Sequence, residues 1–258
     1  MQLFLARFTP LLLLLAAASA FGLEGYKCKL DDSACLKNYL QNDVIGRFSK
    51  GLPEFGVKSF DPLSFKQLTF NYEAGPAIKA TLDHIDATLY GLSKTKVLDV
   101  RTELSGPNFK IEASVSIPKL FYEGLYTCKG EWLLIPVDWS GKFNMSLGYI
   151  TDTWKLSAVL MQRGDDAYLQ LEDVSFSPKV TNFNTYASGL FWGNEEAGNF
   201  ALAMTNRYWS GFYDVMWKLA EPDVLKTISD AVRSVFSKTP ISGLASVAAS
   251  PLPAPSFD

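Results

Sequence analysis

The hydrophobic pattern divides the chain into a short helical region, a long region of strands and a second helical region. Apolar residues recur about every four positions from Leu36 to Phe48, which predicts a helix over residues 34–50 that ends at Gly51. From residue 65 to residue 176 the spacing changes to two, which is typical of strands. Because no helical pattern separates these strands, we expect one antiparallel sheet.

Several details of the strand region bear on the shape of this sheet. The clearest strand covers residues 109–117, a hairpin is predicted over residues 122–139 with Lys129-Gly130 at its centre, and further strands cover residues 142–161 and 167–176. Between Ile78 and Leu89 the apolar positions change from even to odd numbers. This change predicts a β-bulge near His84 in a strongly curved sheet, although two short strands joined by a kink would give the same pattern.

The second helical region is apolar over much of its circumference. Residues 194–219 carry four large apolar side chains on one line, with others beside them, so we expect a helix that is buried on several sides within the concave face of the sheet. Pro222 is expected to interrupt this helix, and a further helix is predicted to run to about residue 237. The line consists of Phe200, Met204, Tyr208 and Phe212.

The two ends of the chain differ in composition from the region between them. Residues 1–20 hold one charge, Arg7, then a short apolar run and the small-residue site Ala18-Ser19-Ala20, which together predict a secretory signal peptide and an extracellular protein. An uncleaved anchor is the alternative, but the run is shorter than the roughly 20 residues that a membrane span needs. We therefore expect one domain over residues 21–244 and a disordered tail, rich in Ala, Ser and Pro, over residues 245–258.

Composition and charge narrow the class of protein. The formal net charge of −3 gives no basic surface for nucleic acid, and 48% apolar with 14% aromatic residues suffices for a large core or for a core around a cavity. In an oxidising compartment we expect Cys28 and Cys35 to form a disulfide. Cys128 is then left over, either as a buried apolar residue or as a reactive or intermolecular thiol.

Catalytic chemistry has little support in the sequence. His84 is the single histidine, there is no Gly-x-Ser-x-Gly motif, and we interpret His84 as a surface or bulge residue. The pairs Asp165-Asp166 and Glu195-Glu196 fit a turn and a helix N-terminus better than an acid–base pair. We expect no enzyme activity, no cofactor and no metal site. Asn144-Met145-Ser146 is a sequon for N-glycosylation, with an unmodified strand residue as the alternative.

A series of short segments, in this order and spacing, resembles the takeout and juvenile-hormone-binding family of arthropods. The resemblance runs from about Cys28 to Leu244, and no single segment is specific by itself. The segments are the Cys28 and Cys35 pair, Gly51-Leu52-Pro53-Glu54 with Gly56, Asp61-Pro62-Leu63, Tyr90-Gly91-Leu92-Ser93, Ile117-Pro118-Lys119, Tyr122-Glu123-Gly124, Leu133-Leu134-Ile135-Pro136, Gly141-Lys142-Phe143-Asn144, and Asn206 with Trp209.

The resemblance implies an α+β fold of the tubular lipid-binding type, in which a highly curved antiparallel sheet wraps a long C-terminal helix and a short helix precedes it. It also implies an apolar tunnel and the Cys28–Cys35 disulfide. Hormone carriers of this family have a second disulfide, and Cys128 has no partner for one, so the sequence resembles the broader takeout branch. Juvenile hormone itself is therefore in doubt as the ligand.

These inferences predict a secreted carrier for a small hydrophobic ligand, such as a terpenoid or a fatty acid. The alternative is a secreted interaction module whose tunnel is filled or vestigial; the sequence does not identify a receptor or another partner. We expect seven residues to line the tunnel, with Tyr208 offering a hydroxyl to a ligand carbonyl, although all seven could equally be packed core. They are Phe70, Leu89, Val115, Ile117, Met204, Tyr208 and Phe212.

Overall fold

The structure of the protein is a computed structural model that describes residues 28–46, 49–51, 59, 61–73, 78–132 and 135–237. The signal peptide and tail that the sequence predicts lie outside the described residues. The elements are α1 (Ser33–Tyr39), β1 (Leu63–Glu73), β2 (Ile78–Tyr90), β3 (Lys96–Ser105), β4 (Asn108–Trp132), β5 (Ile135–Arg163), β6 (Asp166–Ser175), β7 (Asn182–Ala187), α2 (Glu195–Arg207) and α3 (Trp209–Phe236).

The first helix is fixed at both ends by side chains. The Asp32 carboxylate accepts a hydrogen bond from the Cys35 backbone N–H at 2.9 Å, and Cys28 and Cys35 form the predicted disulfide. Regular α-helix is shorter than the predicted range, because a π-helical turn follows over Leu40–Ile45. In this wider turn the Gln41 side chain reaches the start of β3, where it accepts from the Val97 N–H at 2.8 Å and donates to the Thr95 carbonyl at 3.2 Å.

The sheet is antiparallel throughout and is built around one long hairpin. β4 has 25 residues and β5 has 29, and each carries two further strands end to end along its outer edge. One half of the sheet, which we call the β7 half, consists of β1, β2, the second part of β4, the first part of β5, and β7. The remainder, namely β3, the first part of β4, the second part of β5 and β6, is the β6 half.

The predicted bulge is confirmed, and the predicted hairpin centre is wrong. The β2–β4 register shifts between Ile85 and Thr88, and Asp86 there has a φ of 46°. Lys129-Gly130 lies inside β4 rather than at a turn, since β4 continues to Trp132. A Cβ at Gly130 would lie 2.0 Å from the carbonyl oxygen of Lys79, so glycine is needed there for close approach of two strands rather than for a turn.

Segments that are distant in sequence meet beside the start of β1. The Asp61 carboxylate accepts hydrogen bonds from the backbone N–H groups of Gly91 at 2.9 Å and Ser93 at 2.8 Å. Gly91 has a φ of 104°, and a Cβ at this position would lie 2.2 Å from the carbonyl oxygen of Lys119. Only glycine fits this position. The contacts therefore explain why an Asp occurs at position 61 and a Gly at position 91.

The C-terminal helices close the curl of the sheet. α3 contacts β6 and β7 at one edge and β1 at the opposite edge. The helical region breaks at Tyr208, with φ −108° and ψ 33°, and α3 then runs through Pro222, so the predicted interruption at Pro222 is wrong. A proline removes one backbone hydrogen bond from a helix, and buried Tyr213 and Val232 on either side hold this one in place.

A packed core fills the β6 half. It contains side chains from α1, the four strand segments of that half and the last turns of α3, including Leu36, Phe109, Val115, Val232 and Phe236. The Cys28–Cys35 disulfide lies in the same core, because Cys28 is buried and Cys35 packs against it. The described side chains of the β6 half therefore pack against one another around the disulfide.

Candidate functional site

Inward-facing side chains in the β7 half form rows that run across the strands. Leu89 pairs with Tyr122, Tyr122 with Met145 and Met145 with Thr185, so that these side chains share one face of the sheet. Parallel rows above and below add aromatic rings to the same face. We call the following set the aromatic wall: Leu63, Phe65, Phe70, Leu82, His84, Ala87, Leu89, Tyr122, Tyr126, Cys128, Trp139, Phe143 and Met145.

A glycine at the centre of the wall makes room for its aromatic rings. Gly124 pairs with Phe143, and a Cβ at Gly124 would lie 2.8 Å from the Cα of Ala87. Ala87 follows the bulge in β2 and is completely buried against this glycine. The bulge and the glycine together let β2 come close to β4, which brings His84 within reach of Phe143.

His84 brings an imidazole into the wall. Its ring stacks on Phe143 at 4.2 Å between centroids and meets the edge of Phe70 at 5.2 Å, and it is only 5% exposed. Its Nδ1 lies 3.1 Å from the Tyr122 hydroxyl oxygen. Burial lowers the pKa of His84 to about 4 and raises the pKa of Tyr122, so both groups are neutral at physiological pH.

The opposite side of the site is formed by α2 and the first half of α3. Six apolar side chains three or four residues apart lie on one line and are all substantially exposed; Phe200 is 69% and Tyr208 is 60% exposed. We call them the helix stripe: Phe200, Met204, Tyr208, Phe212, Val215 and Leu219. The predicted burial of this line is wrong. α3 packs on the sheet through the next position, Tyr213, and the described residues leave the stripe largely uncovered.

Two contacts join the helices to the wall side of β7. The Phe183 ring, fully buried on β7, lies 5.8 Å from Phe212 and 6.1 Å from Tyr213 between ring centroids. The Asn206 amide accepts from the Thr185 N–H at 2.7 Å and donates to the Thr185 carbonyl at 2.9 Å. Phe183, Thr185 and Met145 face the same side of the sheet, so the helices lie on the side of the aromatic wall.

The sequence model described as "Haemolymph juvenile hormone binding protein (JHBP)" matches residues 11–246. The chain belongs to this family. The resemblance that the short segments suggested is thereby confirmed.

Two individual relatives extend the comparison. The crystal structure of Epiphyas postvittana Takeout 1 has a TM-score of 0.72 at 24% identity and covers 86% of this chain and 100% of its own, which confirms the predicted fold class. A putative β-carotene-binding protein of Schistocerca gregaria is 31% identical over 104 residues. That alignment spans 40% of this chain and 40% of the relative, so it covers less than half of either protein.

Members of the JHBP family are carriers of small hydrophobic ligands, and the seven residues expected to line a tunnel fall in three places. Phe70 and Leu89 belong to the aromatic wall. Val115 and Ile117 lie in the β6 half, where Val115 is 1% exposed within the packed core. Met204, Tyr208 and Phe212 belong to the helix stripe. The role of the first and third groups as ligand contacts stays a prediction.

Sequence reasoning missed three central residues of the wall in this JHBP family member: His84, Tyr122 and Phe143. Of the two alternatives for His84, a surface residue is wrong, because its side chain is buried among aromatic rings, whereas a position at the bulge agrees with the register shift that begins at Ile85. A signal was present: His84 continues the even-numbered series of Ala80 and Leu82 that precedes the bulge. Residues in phase with an apolar series share its face.

Other candidates from the sequence lie around the wall. Cys128 has a free, half-buried thiol whose pKa burial raises, so it stays protonated among apolar neighbours. Asn144 faces away from Phe143 and Met145, and its glycosylation stays a prediction. Within the described ranges, no three His, Cys, Asp or Glu side chains come together as a metal site would require. None of the described helices combines the length and hydrophobicity needed to cross a bilayer.

Proposed function

We propose that this protein is a secreted carrier that holds a small hydrophobic ligand between the aromatic wall and the helix stripe. The observation that carries the proposal is the exposed stripe, since six exposed apolar side chains spaced three or four residues apart along α2 and α3 favour a partner that covers them. The wall beside it offers aromatic and aliphatic surface with no charged side chain. Membership of the JHBP family supports the same function.

The energy available from such a site is sufficient for useful affinity. A terpenoid or fatty acid that buries about 300 Å² of apolar surface gains roughly 7 kcal/mol at about 25 cal/mol per Å², before the cost of immobilisation. Covering part of the stripe adds apolar protein surface to this sum. Micromolar affinity is therefore within reach without any ionic contact.

We infer that the protein does not catalyse hydrolysis of its ligand. The single histidine has its Nδ1 beside the Tyr122 hydroxyl, whereas a serine hydrolase needs an imidazole between a serine and a carboxylate. With a pKa of about 4, His84 is also a weak base. Both properties favour a binding role for this part of the protein.

The ligand class is proposed more broadly than juvenile hormone. The free thiol of Cys128 fits the takeout branch, in which a second disulfide is not expected. The Schistocerca relative is named for binding β-carotene, so terpenoids other than a hormone are reasonable ligands to test. We propose export from the cell because of the predicted signal peptide and because JHBP family proteins are haemolymph carriers.

Native mass spectrometry and lipid extraction of the protein, purified from insect-cell medium, test this function. We expect a bound lipid-sized mass, or uptake of one when terpenoids and fatty acids are added, and displacement of a fluorescent apolar probe by the same compounds. The Tyr208→Ser variant should take up less, whereas Lys110→Ser, on the far side of the sheet, serves as a matched control and should behave like the unmodified protein. A protein that arrives empty and takes up no compound would instead be an interaction module.

A further inference from the structure

His84 combines deep burial with an unfilled hydrogen-bonding position. It is the single histidine of the chain, and three aromatic rings surround it: Phe70, Tyr122 and Phe143. Its Nδ1 contacts the Tyr122 hydroxyl, and its Nε2 has no hydrogen-bond partner among the residues that the structure describes. A polar atom among apolar rings is normally paired, so this nitrogen is open to a partner that the described residues do not supply.

The contact with Tyr122 determines which atom of the imidazole carries the proton. A neutral imidazole has one N–H donor and one acceptor nitrogen. If Nδ1 carried the proton, the Tyr122 O–H and the Nε2 lone pair would both lack partners. If Tyr122 donates to Nδ1, the pair is satisfied and a single N–H remains at Nε2. The second arrangement leaves fewer buried groups unpaired, so Nε2 is a hydrogen-bond donor.

We propose that His84 determines ligand specificity by donating a hydrogen bond from Nε2 to a neutral acceptor oxygen of the ligand, such as that of a ketone, ester or ether. The inference rests on the proposed carrier function and adds the chemistry of the polar contact. The aromatic wall contains no Lys or Arg, so nothing in it would compensate the charge of a carboxylate. A pure hydrocarbon would leave the N–H unpaired.

The pKa of His84 supports this assignment, since a value of about 4 keeps the ring neutral across the physiological range. The groups that face the ring are the Tyr122 hydroxyl and two phenyl rings, and the nearest carboxylate, Asp83, has only a minor influence. A neutral donor selects for an acceptor atom and not for negative charge. The expected ligand is thus apolar with one oxygen atom placed to meet β2.

A matched set of three ligands tests the proposal: tetradecan-2-one, tetradecane and tetradecanoic acid, each measured by displacement of a fluorescent probe from the purified full chain. The ketone should bind roughly tenfold more tightly than the alkane, which corresponds to one hydrogen bond, and more tightly than the acid. In His84→Phe this preference for the ketone should disappear. In Phe70→Leu, the control in the same wall, ketone and alkane should weaken together and the preference should remain.

Nuclear magnetic resonance of the unmodified protein gives a second reading that does not depend on the variant folding. Because there is one histidine, its imidazole nitrogens can be observed without assignment. The Nε2–H signal should shift on binding of the ketone and stay in place with the alkane. Three results would overturn the proposal while leaving the carrier function intact. They are a preference for the ketone in His84→Phe as large as in the unmodified protein, tighter binding of the acid than of the ketone, and an Nε2–H signal that the ketone does not shift. Failure of all three ligands to bind counts against the carrier function, and with it the proposal.

Discussion

The charge state of one imidazole links local packing to the stability of the whole protein. His84 loses contact with water in the folded state and lies against Phe143 and Phe70, so its protonated form is disfavoured there. In the unfolded chain the same ring is hydrated and has a pKa near 6.5. The difference between the two states makes folding depend on pH in a defined window.

We predict that the free energy of unfolding falls as the pH is lowered from about 6.5 to 4. The folded-state pKa of His84 is depressed, so between these values the unfolded chain binds the proton and the folded protein does not. The stabilising contribution is complete above about pH 6.5, and up to about 3 kcal/mol is lost at pH 4. Urea denaturation from pH 4 to pH 7 measures it.

The His84→Phe variant is the control for this titration. Carboxylates also titrate in the lower part of the window, so the relevant quantity is the difference between the two pH profiles. The profile of the variant should be flatter by the contribution of His84. Identical slopes for both proteins would show that His84 is accessible to water in the folded state.

At the scale of elements, β7 depends on α2 as much as on the sheet. β7 has six residues and, among the strands that the structure describes, pairs with β5 alone, so that no described strand lies along its other edge. The Asn206 amide occupies this edge at Thr185, in the way that a residue of a further strand would. A paired edge is protected from slipping and from pairing with another chain.

We predict that Asn206→Leu destabilises the protein by about 2 to 3 kcal/mol, because both backbone groups of Thr185 lose their partner in a partly buried position. Thermal unfolding of the purified protein measures the change. Hydrogen exchange at the Thr185 amide should accelerate in the variant as well. Asn199→Leu, on an exposed position of the same helix, provides the control and should change stability by less than about 0.5 kcal/mol.

Sequence reasoning recovered the elements with strong periodicity and missed those that depend on tertiary contacts. The alternation of apolar and polar residues predicted strands over residues 109–117 and 142–161, which are parts of β4 and β5 but not their full length, and the phase change after Ile78 predicted the bulge. β7 was missed because its apolar positions are few: Phe183 and Ala187 flank Thr185. The break at Tyr208 was missed because no proline or glycine marks it. Pro222 led to the prediction of an interruption, but packing on either side keeps the helix continuous there.

The candidate site was predicted in part for the same reason. Phe70 and Leu89 follow the period of their strands, so their face could be read from the pattern. The apolar line of the helix stripe was identified from the sequence. Its exposure depends on how α3 is rotated about its axis against Phe183, and the helical period of a sequence does not determine that rotation. The pairing of His84 with Tyr122 joins residues 38 positions apart and depends on the register of β2 with β4.

At the scale of the whole molecule, the two halves of the sheet have different tasks. The β6 half holds the larger core cluster, to which α1 and the end of α3 contribute, whereas the β7 half holds the smaller cluster around Ala87, Tyr126 and Phe143 and has the exposed helix stripe beside it. Substitutions in the two halves should therefore separate stability from ligand binding.

We predict that Val115→Ala costs about 2 kcal/mol of stability and leaves the affinity for an apolar probe unchanged, because the side chain is enclosed in the β6 core. Tyr208→Ser should have the reverse effect, with little change in stability and a several-fold weaker affinity. Chemical denaturation and probe titration of both variants measure the two quantities. Equal losses of affinity would assign Val115 to the ligand contacts as well.

If a ligand binds beside the aromatic wall, the packed core of the β6 half would leave its site with one entrance. Among the described residues, the disulfide, α1 and the last turns of α3 close the end of the site that faces the β6 half. The ligand would therefore enter and leave by the same path, near α2. A molecule that enters such a site with one end leading would leave it with the other end leading. Transfer of the ligand to an acceptor would then require the entrance to face that acceptor. The efficiency of transfer would depend on the orientation of the protein as well as on affinity.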